Sequence, residues 1–205
     1  MYKRLKVNIL CVAYRGYSRS EGEPNENGIM NDVEEIINYC KSEDMINNEK
    51  VFVFGRSLGG AVAIHTLRKL ESKGEHYFKG AVIENTFTNI SSMAESVFPP
   101  LRFIPALKEK LLRLRWESDK HVPHLKTPLF YISGDVDTFV PTAQTWELYN
   151  NSHKTLMKDI WIVPGGNHNN TFMMAGPAYF TRCQDFMDKC LKGNFPPSPP
   201  KNEDP

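Results

Sequence analysis

The run from residue 51 to residue 64 constrains the fold more than any other part of this sequence, because it predicts a strand, a tight turn and a helix in direct succession. Val51-Phe52-Val53-Phe54 is apolar and β-favouring, which is typical of a buried strand. Gly55-Arg56-Ser57-Leu58-Gly59 follows, and the small and apolar residues after it predict a helix that ends near Gly74. The glycines on either side of Ser57 leave room for the strand and the helix to approach each other.

The pentapeptide G-x-S-x-G between a strand and a helix is the nucleophile-elbow motif. Such a turn forces its central residue into a strained backbone conformation and pushes that side chain clear of the sheet. We therefore predict that Ser57 presents its hydroxyl at the carboxyl end of a central strand and acts as a nucleophile. A chance pentapeptide at a strand–helix junction is the alternative, because the five letters alone are a weak signal.

The remainder of the chain predicts an α/β fold with a mostly parallel sheet and helices on both faces. Predicted strands cover residues 7–14, 79–83, 128–133 and 159–164, and predicted helices cover about 29–40, 142–150 and 176–191. We expect one domain over residues 1–192 and a Pro-rich disordered tail over residues 193–205. The tail contains P-x-x-P, so an SH3-type ligand is the alternative for it.

Charge and composition argue against several classes of function. Lysine and arginine number 25 against 24 acidic residues, so the net charge of +1 does not favour nucleic-acid binding. The four cysteines form no C-x-x-C and the six histidines form no spaced ligand set, so we predict neither a metal nor a cofactor. No apolar run approaches the ~18–20 residues of a membrane span and no signal peptide is recognisable, so this chain alone is expected to be soluble or cytoplasmic.

A serine nucleophile needs a base within hydrogen-bond reach, and the base needs an acid that holds its tautomer. His168 lies in a glycine-rich loop directly after the last predicted strand, from which it could reach back to Ser57. A solvent-bonded loop histidine is the alternative interpretation of His168. We expect His65 to pack behind the elbow, and the remaining histidines to lie in polar surface segments.

The acid is expected after the strand that ends at Ser133, and two aspartates lie there. We favour Asp137, since D-x-x-V-P is the usual form of this turn in hydrolases whose nucleophile lies on such an elbow, and interpret Asp135 as a turn-former. Glu84, at the end of the preceding strand, is a further alternative acid. The backbone N–H of Leu58 is the predicted donor to an oxyanion.

Several segments together resemble the Bem-type serine hydrolases, the family of alpha/beta-hydrolase domain-containing protein 13, over most of residues 5–192. These segments are residues 51–65, Tyr14-Arg15-Gly16-Tyr17, Ser20-Glu21-Gly22, Glu84-Asn85-Thr86-Phe87 and Gly166-Asn167-His168-Asn169. The resemblance implies an α/β-hydrolase fold with a catalytic triad of Ser57, Asp137 and His168. It also implies membrane association, through a single-pass anchor upstream of the matched region.

The resemblance further implies that the chain is truncated at its N-terminus. In the family, the segment matching residues 7–13 is preceded by the first strands, by the central third strand and by an H-G-x-x-G-type loop that supplies a second oxyanion donor. We expect these elements to be absent, and loss of one such donor costs about 10²–10³ in rate. Ala13 and Ser18 also depart from the acidic residue and the glycine that are usual there.

Residues 88–126 lack strand character and are expected to border the substrate pocket, where they could form a lid. Ile104, Leu107, Leu111 and Leu114 keep helical spacing among basic residues. Residues 101–116 could therefore touch a membrane surface, and an ordinary packed helix with a solvated basic face is the alternative.

The sequence thus predicts a serine hydrolase that cleaves an ester or thioester bond through an acyl-enzyme intermediate. The expected substrate is an acyl ester or thioester, including one carried by a lipid or a lipidated protein. The alternative, from another class, is a catalytically impaired fragment or pseudoenzyme that acts as a partner-binding module.

Overall fold

The computed structural model describes residues 1–104, 114–193 and 195. In this part of the chain a four-stranded parallel sheet has the order β1-β2-β3-β4. The strands are β1 (Phe52–Arg56), β2 (Gly80–Glu84), β3 (Leu129–Gly134) and β4 (Lys158–Val163). Consecutive strands are neighbours and parallel. Each connection therefore crosses a face of the sheet and brings the chain back to the end at which the previous strand began.

The described residues form seven α-helices, several of which make these crossings. They are α1 (Glu26–Ser42), α2 (Leu58–Ser72), α3 (Ile90–Val97), α4 (Ser118–His121), α5 (Thr142–Asn151), α6 (Thr171–Ala175) and α7 (Pro177–Lys192). Shorter helical turns lie at Tyr2–Lys6, Asn48–Lys50, Pro99–Phe103 and Val122–His124.

Both faces of the sheet are covered by helices. On one face, Val82 and Phe130 pack against Phe186 of α7. On the other face, Ile83 packs in a cluster with Leu67 of α2. Adjacent residues of a strand point to opposite faces, so burial on both sides explains why β2 and β3 are continuous apolar runs in the sequence. The predicted architecture, a parallel sheet between helices, is confirmed.

The predicted strand over residues 7–14 is wrong. This segment forms no strand, and Ile9 and Leu10 are about half exposed. A strand needs the hydrogen bonds of a neighbour, and among the described residues β1 pairs only with β2. Val7 and Tyr14, at the two ends of the segment, pack against core clusters. That the family's first strands are absent stays a prediction.

The segment between β2 and β3 contains no strand in its described parts, as predicted. The helix predicted around residues 104–114 falls largely on residues 105–113, outside the described residues, so a membrane contact through residues 101–116 stays a prediction. The Pro-rich tail also lies outside them, apart from Gly193 and Phe195, and the domain boundary stays a prediction. No helix within the described ranges is long and apolar enough to cross a membrane.

Candidate active site

Ser57 occupies the sharp turn between β1 and α2, at the carboxyl edge of the sheet. Its backbone has φ 54° and ψ −122°, a conformation that side-chain-bearing residues rarely adopt. The turn is held by the Ser57 N–H, which donates to the Glu84 carbonyl at 2.9 Å. At Gly55 a Cβ would lie 2.2 Å from the carbonyl oxygen of Gly59, so only glycine fits there. The strained elbow predicted from the sequence is present.

Three loops bring Ser57, His168 and Asp137 into one hydrogen-bonded chain. Nε2 of His168 lies 3.1 Å from Oγ of Ser57, and Nδ1 of the same ring lies 2.7 Å from Oδ2 of Asp137. The three residues follow β1, β4 and β3, and parallel strands place all three loops at one edge of the sheet. In this geometry the Ser57 hydroxyl can donate to Nε2, while Nδ1–H donates to the carboxylate.

The Asp137 carboxylate is buried and its orientation is determined by the loop that carries it. Its Oδ1 accepts hydrogen bonds from the backbone N–H groups of Phe139, at 2.9 Å, and Val140, at 2.8 Å. These two donors leave Oδ2 directed toward His168. The carboxylate can therefore orient the imidazole and stabilise its protonated form.

The two alternative acids are engaged elsewhere. Oδ1 of Asp135 accepts from the backbone N–H of Gly165 at 2.7 Å, which ties two loops together. Glu84 is buried and accepts a hydrogen bond from the hydroxyl of Tyr179, and burial raises the pKa of its carboxyl group. Neither side chain bonds to His168 within the described residues, so the structure brings Asp137 to the ring and not these two.

Leu58 is the first residue of α2, where backbone N–H groups have no partner inside the helix. No hydrogen bond among the described residues uses the Leu58 N–H. This donor lies beside Ser57, at the positive end of the helix dipole, so it can stabilise negative charge that develops on a bound carbonyl oxygen.

Sequence reasoning assigned no role to Asn85 or Arg56, and both hold the loop of His168. Asn85 is fully buried with φ 45°, its Nδ2 donates to the His168 carbonyl at 3.2 Å, and its Oδ1 accepts from the Gly134 N–H at 3.1 Å. Nη1 of Arg56 donates to the same His168 carbonyl at 2.7 Å. A polar residue directly after the fully buried strand β2 is the signal that could have identified Asn85.

The described residues contain no group of three or more His, Cys, Asp or Glu side chains that could hold a metal ion. The groups that the site does present are a hydroxyl, an imidazole, a carboxylate and backbone N–H groups.

The parallel sheet, the strained elbow and the loops that meet at its carboxyl edge give the chain an α/β-hydrolase fold. The esterase Pf2001 of Pyrococcus furiosus has a similar fold, with a TM-score of 0.68 at 19% identity over 87% of this chain and 68% of that one. The model of the prolyl oligopeptidase family matches residues 18–194. The chain therefore belongs to the prolyl oligopeptidase family.

Two curated relatives agree with the resemblance to Bem-type hydrolases. The alpha/beta hydrolase domain-containing protein WAV2 of Arabidopsis thaliana is 30% identical over 198 residues, which are 92% of this chain and 63% of that protein. The bem46 protein of Schizosaccharomyces pombe is 30% identical over 187 residues, which are 91% of this chain and 59% of that protein. These matches confirm the family resemblance, and the chain spans 59% to 63% of the length of these relatives.

Proposed function

We propose that this chain is a serine hydrolase that cleaves an ester or thioester bond through Ser57, His168 and Asp137. The observation that carries the proposal is the hydrogen-bonded chain from the Ser57 hydroxyl through both ring nitrogens of His168 to a buried carboxylate. An imidazole placed in this way removes the proton that makes a serine hydroxyl a poor nucleophile. Membership of the prolyl oligopeptidase family supports a hydrolytic reaction.

In the acylation step, Oγ of Ser57 attacks the acyl carbon while its proton moves to Nε2 of His168. The carbonyl electrons move onto oxygen, where the Leu58 N–H donates a hydrogen bond to the developing charge. When the tetrahedral intermediate collapses, the bond to the leaving group breaks and His168 gives it the proton. An alcohol or a thiol departs, and Ser57 holds the acyl group as an ester.

In the deacylation step, water takes the place of the leaving group. His168 removes a proton from this water, which attacks the acyl carbon of the acyl-enzyme. Collapse of the second intermediate returns the proton from His168 to Oγ of Ser57 and releases the carboxylic acid. Asp137 stabilises the imidazolium in both steps, because its Oδ2 lies 2.7 Å from Nδ1 of His168.

The substrate class belongs to the same proposal. An ester or thioester, including one in a lipid or a lipidated protein, has a leaving group that one imidazolium can protonate. The protein Pf2001, which has a similar fold, is named as an esterase, and this agrees with ester chemistry. The prolyl oligopeptidase family is named for peptide cleavage, so a substrate screen should also include peptide bonds. Membrane association, with contact through residues 101–116, is part of the proposal that rests on the family resemblance.

The test is labelling of the purified chain with a fluorophosphonate probe, which reacts with an activated serine hydroxyl. We expect labelling of the natural chain and none of Ser57→Ala. The matched control is Ser72→Ala at the exposed end of α2, which should label like the natural chain. A cooperatively folded chain that does not label would refute the proposal and favour the partner-binding module.

A further inference from the structure

Five large apolar side chains that lie within six residues of His168 or Asp137 along the chain are exposed to solvent. We call this set the His168 rim, and it consists of Val136, Phe139, Phe172, Met173 and Met174. Each of them is between 43% and 66% exposed. Clustered exposed apolar side chains mark a binding surface more often than single ones do.

The rim is carried by two segments that lie against each other, the loop after β3 and the loop that leads from β4 into α6. The Val136 N–H donates to the Gly166 carbonyl at 3.0 Å, so the loop after β3 lies against the loop after β4. The ring centroids of Phe139 and His168 are 5.0 Å apart. Met174 reaches back over the same loop, since a Cβ at Gly165 would lie 3.0 Å from its Cε atom.

The chain segments that carry the rim contain almost no charged residues. Residues 160–181 include no Asp, Glu, Lys or Arg, and residues 136–146 include only Asp137, which is buried. Two charged side chains bond to these segments: Asp135 accepts from the Gly165 N–H, and Arg56 donates to the His168 carbonyl. The chemistry of this surface therefore favours a neutral hydrocarbon occupant over an ionic one.

The proposed mechanism determines which part of a substrate lies at the rim. To protonate the leaving atom, Nε2 of His168 must come within about 2.6–3.2 Å of it. The carbonyl oxygen lies on another side, at the Leu58 N–H. The group attached to the leaving atom therefore lies beside the His168 ring, whose centroid is 5.0 Å from that of the Phe139 ring.

We propose that the His168 rim is the leaving-group subsite and that it binds the hydrocarbon chain of an apolar alcohol or thiol. This inference rests on the proposed function and narrows it, because it makes the enzyme selective for the leaving group. Each methylene that moves from water onto apolar side chains contributes about 0.8 kcal/mol, or up to about a fourfold change in kcat/KM. The rim is open on its outer side, so we expect about twofold per methylene over the first few carbons.

The experiment compares two series of esters with the same carbon counts. In one, acetate is joined to alcohols of increasing chain length, and in the other, methanol is joined to acids of increasing length. The variants are Met174→Ala and Phe139→Leu, and the matched control is Met45→Ala, whose side chain is 85% exposed between α1 and β1. We expect kcat/KM to rise along the alcohol series, and Met174→Ala and Phe139→Leu to flatten that rise while Met45→Ala keeps it.

Fluorophosphonate labelling separates failure of this inference from failure of the proposed function. Fluoride is the leaving group of the probe and carries no hydrocarbon, so labelling reports the reactivity of Ser57 alone. A chain that labels but shows no dependence on alcohol length would overturn the subsite and leave the hydrolase standing. If the rim variants flattened the acid series as much as the alcohol series, the rim would bind the acyl chain. This result would also overturn the leaving-group subsite. A change of oligomeric state in the rim variants, with both series intact, would show a contact between copies and overturn it as well.

Discussion

Replacing Asp137 by asparagine tests whether its carboxylate sets the tautomer of His168. In the natural chain, Oδ1 accepts two backbone N–H groups and Oδ2 accepts from Nδ1 of His168. In Asp137→Asn, the amide oxygen should keep the two backbone donors of Phe139 and Val140. The amide NH₂ then faces Nδ1, which must accept, and the ring proton moves to Nε2, where it blocks proton transfer from Ser57.

The size of the expected loss in rate follows from the free energy needed to turn the amide of Asp137→Asn to the opposite orientation. Turning the amide would place NH₂ against two N–H donors and leave both unsatisfied, at about 1–3 kcal/mol each. Only molecules with the amide in this orientation react, so the penalty of about 2–6 kcal/mol lowers the rate by about 30-fold to about 2 × 10⁴-fold. A loss of about 10⁴ is known for the corresponding change in a serine protease whose geometry stays intact. We therefore expect a loss within this range for Asp137→Asn with little change in stability.

The assay is the second-order rate of fluorophosphonate labelling, together with ester hydrolysis and urea unfolding of each variant. Asp135→Asn and Glu84→Gln are the matched controls, because each keeps an acceptor oxygen for its observed partner, the Gly165 N–H and the Tyr179 hydroxyl. We expect both controls to stay within about threefold of the natural rate, a change below about 1 kcal/mol. The reasoning would be refuted if Asp137→Asn kept more than a tenth of the natural labelling rate. It would also be refuted if Glu84→Gln lost as much of that rate as Asp137→Asn.

Two further predictions concern stability. Asn85→Ala should lower the free energy of unfolding by about 2–4 kcal/mol, because the Gly134 N–H loses its buried acceptor and alanine is strained at φ 45°. Asn85→Gly should recover the part of this loss that comes from backbone strain. Equal urea midpoints for Asn85→Ala and the natural chain would contradict this. Burial, then the neighbouring His121, lowers the pKa of His65 to about 3. An unfolded histidine titrates near 6.5, so the unfolded chain binds more protons below that pH and stability falls as pH falls. We expect about 2 kcal/mol less stability at pH 5 than at pH 7 from this group. The pH dependence should weaken in His65→Gln, and an unchanged dependence would count against the assignment.

The acid is a case in which the sequence left alternatives open. Asp135, Asp137 and Glu84 all follow predicted strands whose carboxyl ends meet at one edge of the sheet, so spacing alone could not separate them. The distances separate them, since Oδ2 of Asp137 is 2.7 Å from the His168 ring and the other two acids bond to other groups. The catalytic roles of these residues stay predictions until the variants are measured.

At residues 7–14 the sequence predicted one structure and the prediction was wrong. Their apolar, β-favouring composition predicts a strand, yet in the structure they pair with no described strand and are mostly exposed. Composition reports what a segment can pack against, whereas a strand forms only where a neighbour supplies hydrogen bonds. The prediction went wrong because apolar composition alone does not supply a paired neighbour, and the segment does not pair with β1.

By itself the sequence determined the local features of this protein: the strained elbow at Ser57, the apolar runs of the parallel strands, and the glycine-rich loop of His168. These depend on residues adjacent in the chain, where backbone sterics and side-chain periodicity act directly. Only the tertiary structure decided which acid meets His168, and that Asn85 and Arg56 hold its loop from two other strand ends. Such contacts join residues far apart in the chain, so they depend on strand order and loop approach, which no short pattern encodes.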